Sequence, residues 1–171
     1  MSDSTTPRTS ARGRRTAALA LVGAVLLAGC TRPALPRQEY RARVTGYCVR
    51  AQAAQGVLPA ATSRDALLTR LRRLRTVNRR LTNQIARLNP PIGTDRSHDA
   101  AINIGLRTDR LLGRLTAALK TSPDPAAELA RRQPALAREA TSDAHRWAKL
   151  RLKGCVGGPS QALGTVKAPR A

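Results

Sequence analysis

Three observations predict an all-α fold for this chain, a four-helix bundle of up-down-up-down topology. Apolar residues recur at alternating spacings of three and four along most of the sequence, and no alternating strand pattern competes with them. The apolar content is mainly alanine and leucine, and the aromatics amount to Tyr40, Tyr47 and Trp147, a composition that favours helix over sheet. The helical stretches are joined by short links bearing proline or glycine, as antiparallel neighbours require.

The chain opens on a leader. Arg8, Arg12, Arg14 and Arg15, against the one acid Asp3, precede an uncharged apolar run over 16–27 that ends in small residues and Cys30. A basic n-region, a short h-region and a small-residue cleavage site define an export signal. About a dozen apolar residues are too few for a hydrocarbon core that needs roughly twenty. Arg14-Arg15 is followed by Thr16, Ala17 and Ala18, which suits a general basic n-region better than a twin-arginine signal. Leu27-Ala28-Gly29-Cys30 resembles the lipobox of bacterial lipoproteins. That resemblance implies removal of residues 1–29, a diacylglyceryl thioether on Cys30 with further acyl chains such as palmitate, and a place on the extracytoplasmic face of the cell membrane. Residues 31–36, with two prolines, then read as a short extended tether.

Without the leader, 142 residues remain, enough for one domain. The first helix is expected over 37–55, with Tyr40, Val44, Tyr47, Ala51 and Ala54 on one face and Gly56 and Pro59 as stop signals. The second runs from Ser63 as N-cap to about Asn89. Its seam of Leu67, Leu71, Leu74, Asn78, Leu81, Ile85 and Leu88 keeps a strict four-three alternation with one polar interruption. Asn89-Pro90-Pro91-Ile92-Gly93 ends it. The third helix is expected over 94–120, with Ala101, Ile104, Thr108, Leu111, Leu115 and Ala118 inward and Leu112 and Leu119 widening the face. Ser122-Pro123-Asp124-Pro125 starts the fourth, which continues to about Lys153 with a kink or break at Pro134 and carries Ala140, Ala144, Trp147 and Ala148. The chain thus divides into 1–29 signal, 30–36 lipidated cysteine and tether, 37–155 bundle and 156–171 disordered tail.

With Cys30 lipidated, Cys48 and Cys155 remain as an even pair in an exported protein, where a disulfide is the expected state. The alternatives are two free thiols or a metal site, and two distant cysteines with isolated histidines supply too few ligands for a metal. Closing a loop of about a hundred residues contributes up to about 4.7 kcal/mol in the chain-entropy model. Cys48 lies well inside the first helix while Cys155 follows the fourth, so the bond requires the first helix to begin later than Arg37 or the fourth to extend past it. The residues just after the tether are therefore expected to be irregular. Tyr47-Cys48, Asn89-Pro90-Pro91 and the run from Ala148 to Cys155 resemble small uncharacterised actinobacterial helical lipoproteins, a likeness that implies no known activity.

His98 and His145 stand alone and read as solvated surface residues, outside any paired metal-binding motif. No nucleophile elbow, phosphate loop or dinucleotide fingerprint occurs, and the acids are thinly spread, so neither an enzyme nor a cofactor is expected. What stands out is charge. Beyond the leader, 27 Lys and Arg face nine acids, a net charge of +18. On the second helix, Arg72, Arg73, Arg79, Arg80 and Arg87 form a basic stripe opposite the apolar seam, bordered by Arg70 and Arg75. Such a stripe fits anionic lipid headgroups or a cell-wall polymer, while the plain alternative is a solvated face inflated by arginine-rich composition. Export and the lack of aromatic stacking platforms argue against nucleic acid. A non-enzymatic, lipid-anchored envelope protein with a structural or interaction role is the leading expectation. The second is a carrier holding an apolar ligand in a cavity between helices one, three and four. Cys30→Ala is expected to release the protein from membranes on fractionation; unchanged membrane retention would defeat the anchor.

Overall fold

A computed structural model of the chain describes residues 33–58, 63–159 and 162. The expected leader, the lipid-bearing Cys30 and the first tether residues lie outside the described residues. Four helices run in sequence, α1 (Arg37–Gly56), α2 (Arg64–Ala86), α3 (Asp95–Thr121) and α4 (Pro125–Lys149), followed by a 3-10 turn at Lys153–Cys155. They form the expected four-helix bundle, and no strand occurs among the described residues.

Local chemistry sets the boundaries. Ser63 caps α2, its hydroxyl accepting from the Ala66 amide at 3.2 Å, and Asp124 caps α4, accepting from Ala127 at 3.0 Å. Pro125 occupies the first turn of α4, where its missing N–H costs nothing. Of the kink or break expected at Pro134, the break does not occur, since α4 runs through it. Pro134 and Ala130 both lie on the exposed side, so the carbonyl that proline leaves unbonded meets water. Between α2 and α3, the Thr94 amide bonds the Pro91 carbonyl at 3.0 Å, and Gly93 takes a positive φ of 76°. That is the geometry of a type II turn, with Ile92 at its tip.

Antiparallel order follows from contacts at the two ends. At one end, the Leu35 amide bonds the Asn89 carbonyl and Tyr40 on α1 meets His98 on α3. At the other, the Arg64 guanidinium donates to the carbonyls of Lys120 at 2.6 Å and Ser122 at 2.9 Å, tying off the end of α3. All seven residues of the α2 seam are buried, as the sequence predicts. On α3 the buried face is His98, Ala101, Ile104, Gly105, Thr108, Leu112, Leu115 and Leu119, so Leu112 and Leu119 are central while Leu111 and Ala118 flank it. On α4, Ala140 and Trp147 are buried as expected, Ala144 is half-buried and Ala148 is exposed.

The core has two apolar clusters. One gathers Tyr40, Val44, Cys48, Leu81, Ile85, Ile104 and Trp147; the other gathers Leu67, Leu71, Leu74, Leu112, Leu115, Leu119 and Leu129. A buried polar layer lies between them in every long helix. Asn78 on α2 donates to the Gly105 carbonyl of α3 at 2.8 Å, and Thr82 bonds back to the Asn78 carbonyl. Thr108 reaches Asp143 on α4, whose other oxygen accepts from Arg146 at 2.8 Å. The buried asparagine thus pairs neighbouring helices, the register role expected of a polar seam position.

The fourth seam of the bundle is closed in a way the sequence did not suggest. α1 and α4 hardly touch, and the chain after α4 is wedged between them, packing on both. α4 ends in a Schellman motif, with Leu152 N–H bonded to the Trp147 carbonyl and Arg151 N–H to that of Ala148. Arg151 holds the left-handed position, φ 57°, that glycine usually takes. The reversal sends the chain back alongside α1, where Gln52 donates to the carbonyls of Gly154 and Val156 at 2.9 and 2.8 Å. Cys155 thereby reaches Cys48, and the disulfide forms with the α-carbons 4.9 Å apart. Neither adjustment expected of the helices occurs: α1 begins at Arg37 and α4 stops at Lys149. The ordered chain also passes the expected tail boundary at 156, since Gly158 and Pro159 are buried against the bundle.

Glycines mark the closest approaches. A Cβ on Gly105 would stand 2.1 Å from the Thr82 hydroxyl oxygen and 3.0 Å from its Cβ, and one on Gly154 would stand 2.6 Å from the Thr45 methyl. Gly105→Ala is expected to cost about 2–3 kcal/mol in urea unfolding by overpacking. Adding Thr82→Ala should recover part of that loss, and an unchanged midpoint for the single variant would contradict the close α2–α3 contact.

Candidate polyanion-binding face

The functional question turns on which arginines the fold uses and which it leaves free. Among the described residues, seven arginines stand in ion pairs. Arg43 pairs with Glu39, Arg131 and Arg132 with Glu128, Arg107 with Glu139, and Arg146 with Glu139 and Asp143. Asp109 on α3 takes two partners from α2, Arg75 at 2.8 Å and Arg79 at 2.7 Å. Two further arginines cap carbonyls, Arg64 at the end of α3 and Arg70 at Leu58.

Four of the five stripe residues remain. Arg72, Arg73, Arg80 and Arg87 are exposed and make no ion pair or side-chain hydrogen bond among the described residues. Helical geometry explains the split. At 100° per residue these four fall within one arc of about a quarter turn, while Arg79 and Arg75 sit at its edge and beyond, toward α3. The free arc extends over about 22 Å of helix. Arg50 of α1 continues it, stacked 5.0 Å over Tyr47 and sharing with Arg80 an open cleft of about 150 Å³ between α1 and α2. Sequence spacing finds the stripe but not the capture of Arg79, which needs the position of Asp109 across the α2–α3 interface.

Titratable groups report the same division. Hydrogen bonding from Arg75 and then Arg79, against the opposing effect of burial, holds the Asp109 carboxyl at about 2. Burial pushes the Asp143 carboxyl up, opposed by the Arg146 hydrogen bond. His98 is not the surface residue expected: it is buried, its Nδ1 is 2.9 Å from the Tyr40 hydroxyl, and burial lowers its pKa. Tyr40 of α1 packs against it, and its place three residues before Ala101 on the inward face of α3 is a signal that its polarity masks. His145 is exposed, as expected.

The seam where a ligand cavity is expected, between helices one, three and four, is filled by the returning chain. The crevice left beside Asn78, Thr108, Trp147 and Pro159 holds about 10 Å³, no more than a single water needs. No helix among the described residues is long and apolar enough to cross a membrane. Compared with models of protein families, with curated proteins and with solved structures, the chain has no match.

Asp109→Asn provides a test of the interface. A carboxylate with a depressed pKa contributes stability that is present above the ordinary carboxylate range and is lost as pH falls through about 2. The variant should therefore be about 1–2 kcal/mol less stable at pH 7, a figure reduced for the exposure of its arginine partners. The difference from the parent should vanish toward pH 2, and a deficit independent of pH would rule out the ion pairs as its source.

Proposed function

We propose that this is a lipid-anchored, non-enzymatic protein of the extracytoplasmic membrane face whose α2 surface binds an anionic partner, a cell-wall polymer or lipid headgroups. The observation that carries this reading is the set of four arginines on one helical arc without an ion pair among the described residues, on a helix whose other arginines, Arg64, Arg70, Arg75 and Arg79, pair with Asp109 or cap carbonyls. The lipobox-like Leu27-Ala28-Gly29-Cys30 supports the location. Phosphate-bearing polymers suit such a face, because guanidinium groups bind phosphate oxygens in pairs and a row of them releases counterions on contact. The carrier alternative draws no support from the packed seam between α1 and α4.

Polyphosphate is a suitable soluble probe. The parent should bind it with an affinity that falls steeply as salt rises, and replacing Arg72, Arg73, Arg80 and Arg87 by Gln should weaken binding at low salt by at least about tenfold. The same variant should flatten the salt dependence by roughly one charge per arginine. Thermal unfolding should stay close to the parent's, since these side chains hold no partner in the fold. Binding that ignores both salt and the substitutions would reduce the stripe to a solvated face.

A further inference from the structure

We propose that the end of the bundle where α1 begins and α4 finishes docks on the surface of an anionic bilayer, an orientation that rests on the lipid anchor at Cys30. The first argument is covalent reach. Leu35 packs on the core and its amide is bonded to the Asn89 carbonyl, which ties the chain entering the bundle to the α2–α3 turn. Leu35 stands five positions after Cys30, so an acyl group there lies within about 18 Å of this end. The far end, beyond the length of α1, is about 30 Å further away.

The second argument is what this end presents. Ile92 is 87% exposed, the most exposed large apolar side chain among the described residues, and the type II turn with Gly93 behind the rigid Pro90-Pro91 pair holds it outward. The same end of the bundle carries Arg37, Arg41, Arg87, Arg96, Lys149 and Arg151, all exposed. Among the described residues, Asp95 and Asp99 are the acids at this end outside any ion pair, and Glu39 is occupied by Arg43. A cleft of about 190 Å³, lined by Arg37, Arg41, Thr94 and Ser97, opens between the start of α1 and the start of α3, with room for a headgroup phosphate. An exposed apolar point on an end rich in cations matches the layering of an anionic membrane surface, where cations meet phosphates and an apolar side chain enters just below them. Docked this way, the bundle stands on its end and turns the α2 arginine arc sideways, along the membrane normal, with Arg87 nearest the lipid.

The test uses the lipidated protein, beginning at Cys30, reconstituted in vesicles of phosphatidylcholine and brominated phosphatidylglycerol. The native Trp147 is buried and gives a constant background. Ile92→Trp is compared with Val57→Trp, which sits at the opposite end and is 81% exposed. The indole at position 92 should shift to shorter wavelength and lose about half of its added emission or more, because a side chain docked this way lies about 5–10 Å into the headgroup boundary. The indole at position 57 should keep its emission. Equal quenching at both positions, or none at position 92 while the protein floats with the vesicles, would overturn the orientation alone. Failure to float would overturn the anchor and the orientation together.

Discussion

The bundle depends on the return of the chain between α1 and α4, held by the Cys48–Cys155 bond. Four helices of unequal length leave one seam open, because the 20 residues of α1 pair with α2 and hardly meet α4. The Schellman turn at Arg151 redirects the chain into that seam, glycines let it lie close against Thr45, and Leu152 and Cys155 complete the cluster around Tyr40 and Trp147. The disulfide spans 107 residues, so it removes much of the freedom of the unfolded chain while fixing the piece that closes the core. With two small clusters instead of one large core, such a domain gains proportionately from a covalent staple.

The polar layer between the clusters sets the register of the three long helices. Asn78 and Gly105 bring α2 and α3 together at a point where a side chain on either partner must be small, and Thr108 with Asp143 joins α3 to α4. Burying a carboxylate is costly unless it is bonded, and Thr108 and Arg146 supply the bonds. The acids of the chain are mostly spent inside the scaffold, on caps and on ion pairs between and along helices. Cations outnumber them, and the outer arc of α2 and the end where the chain enters the bundle both carry part of the surplus, with Arg110, Arg114 and Arg138 exposed elsewhere. A surface of one sign therefore arises from the same pairing that stabilises the fold.

The legible parts were those governed by local periodicity. The α2 seam is correct at all seven positions because its alternation is strict and its flanks are charged, leaving one orientation. The α3 face is rotated from the expected one, since a helix with leucines at 106, 111, 112, 115 and 119 offers two overlapping stripes and only packing against α2 and α4 selects between them. His98 and Asp143 stand on the inward faces of their own helices, and it is their polarity, not their spacing, that disguises the burial. Arg79 has the spacing of a free stripe residue, and Asp109 on another helix removes it.

The all-α class, the helix boundaries to within a few residues and the basic arc are legible in the residues themselves, because neighbours a turn apart set them, and the Cys48–Cys155 pair follows from counting once Cys30 is taken as the expected lipid site. Tertiary structure alone decided how the disulfide is reached, which polar groups are buried and which arginines are left unpaired. Those depend on contacts across 30 to more than 100 residues of chain, where no local pattern carries the information.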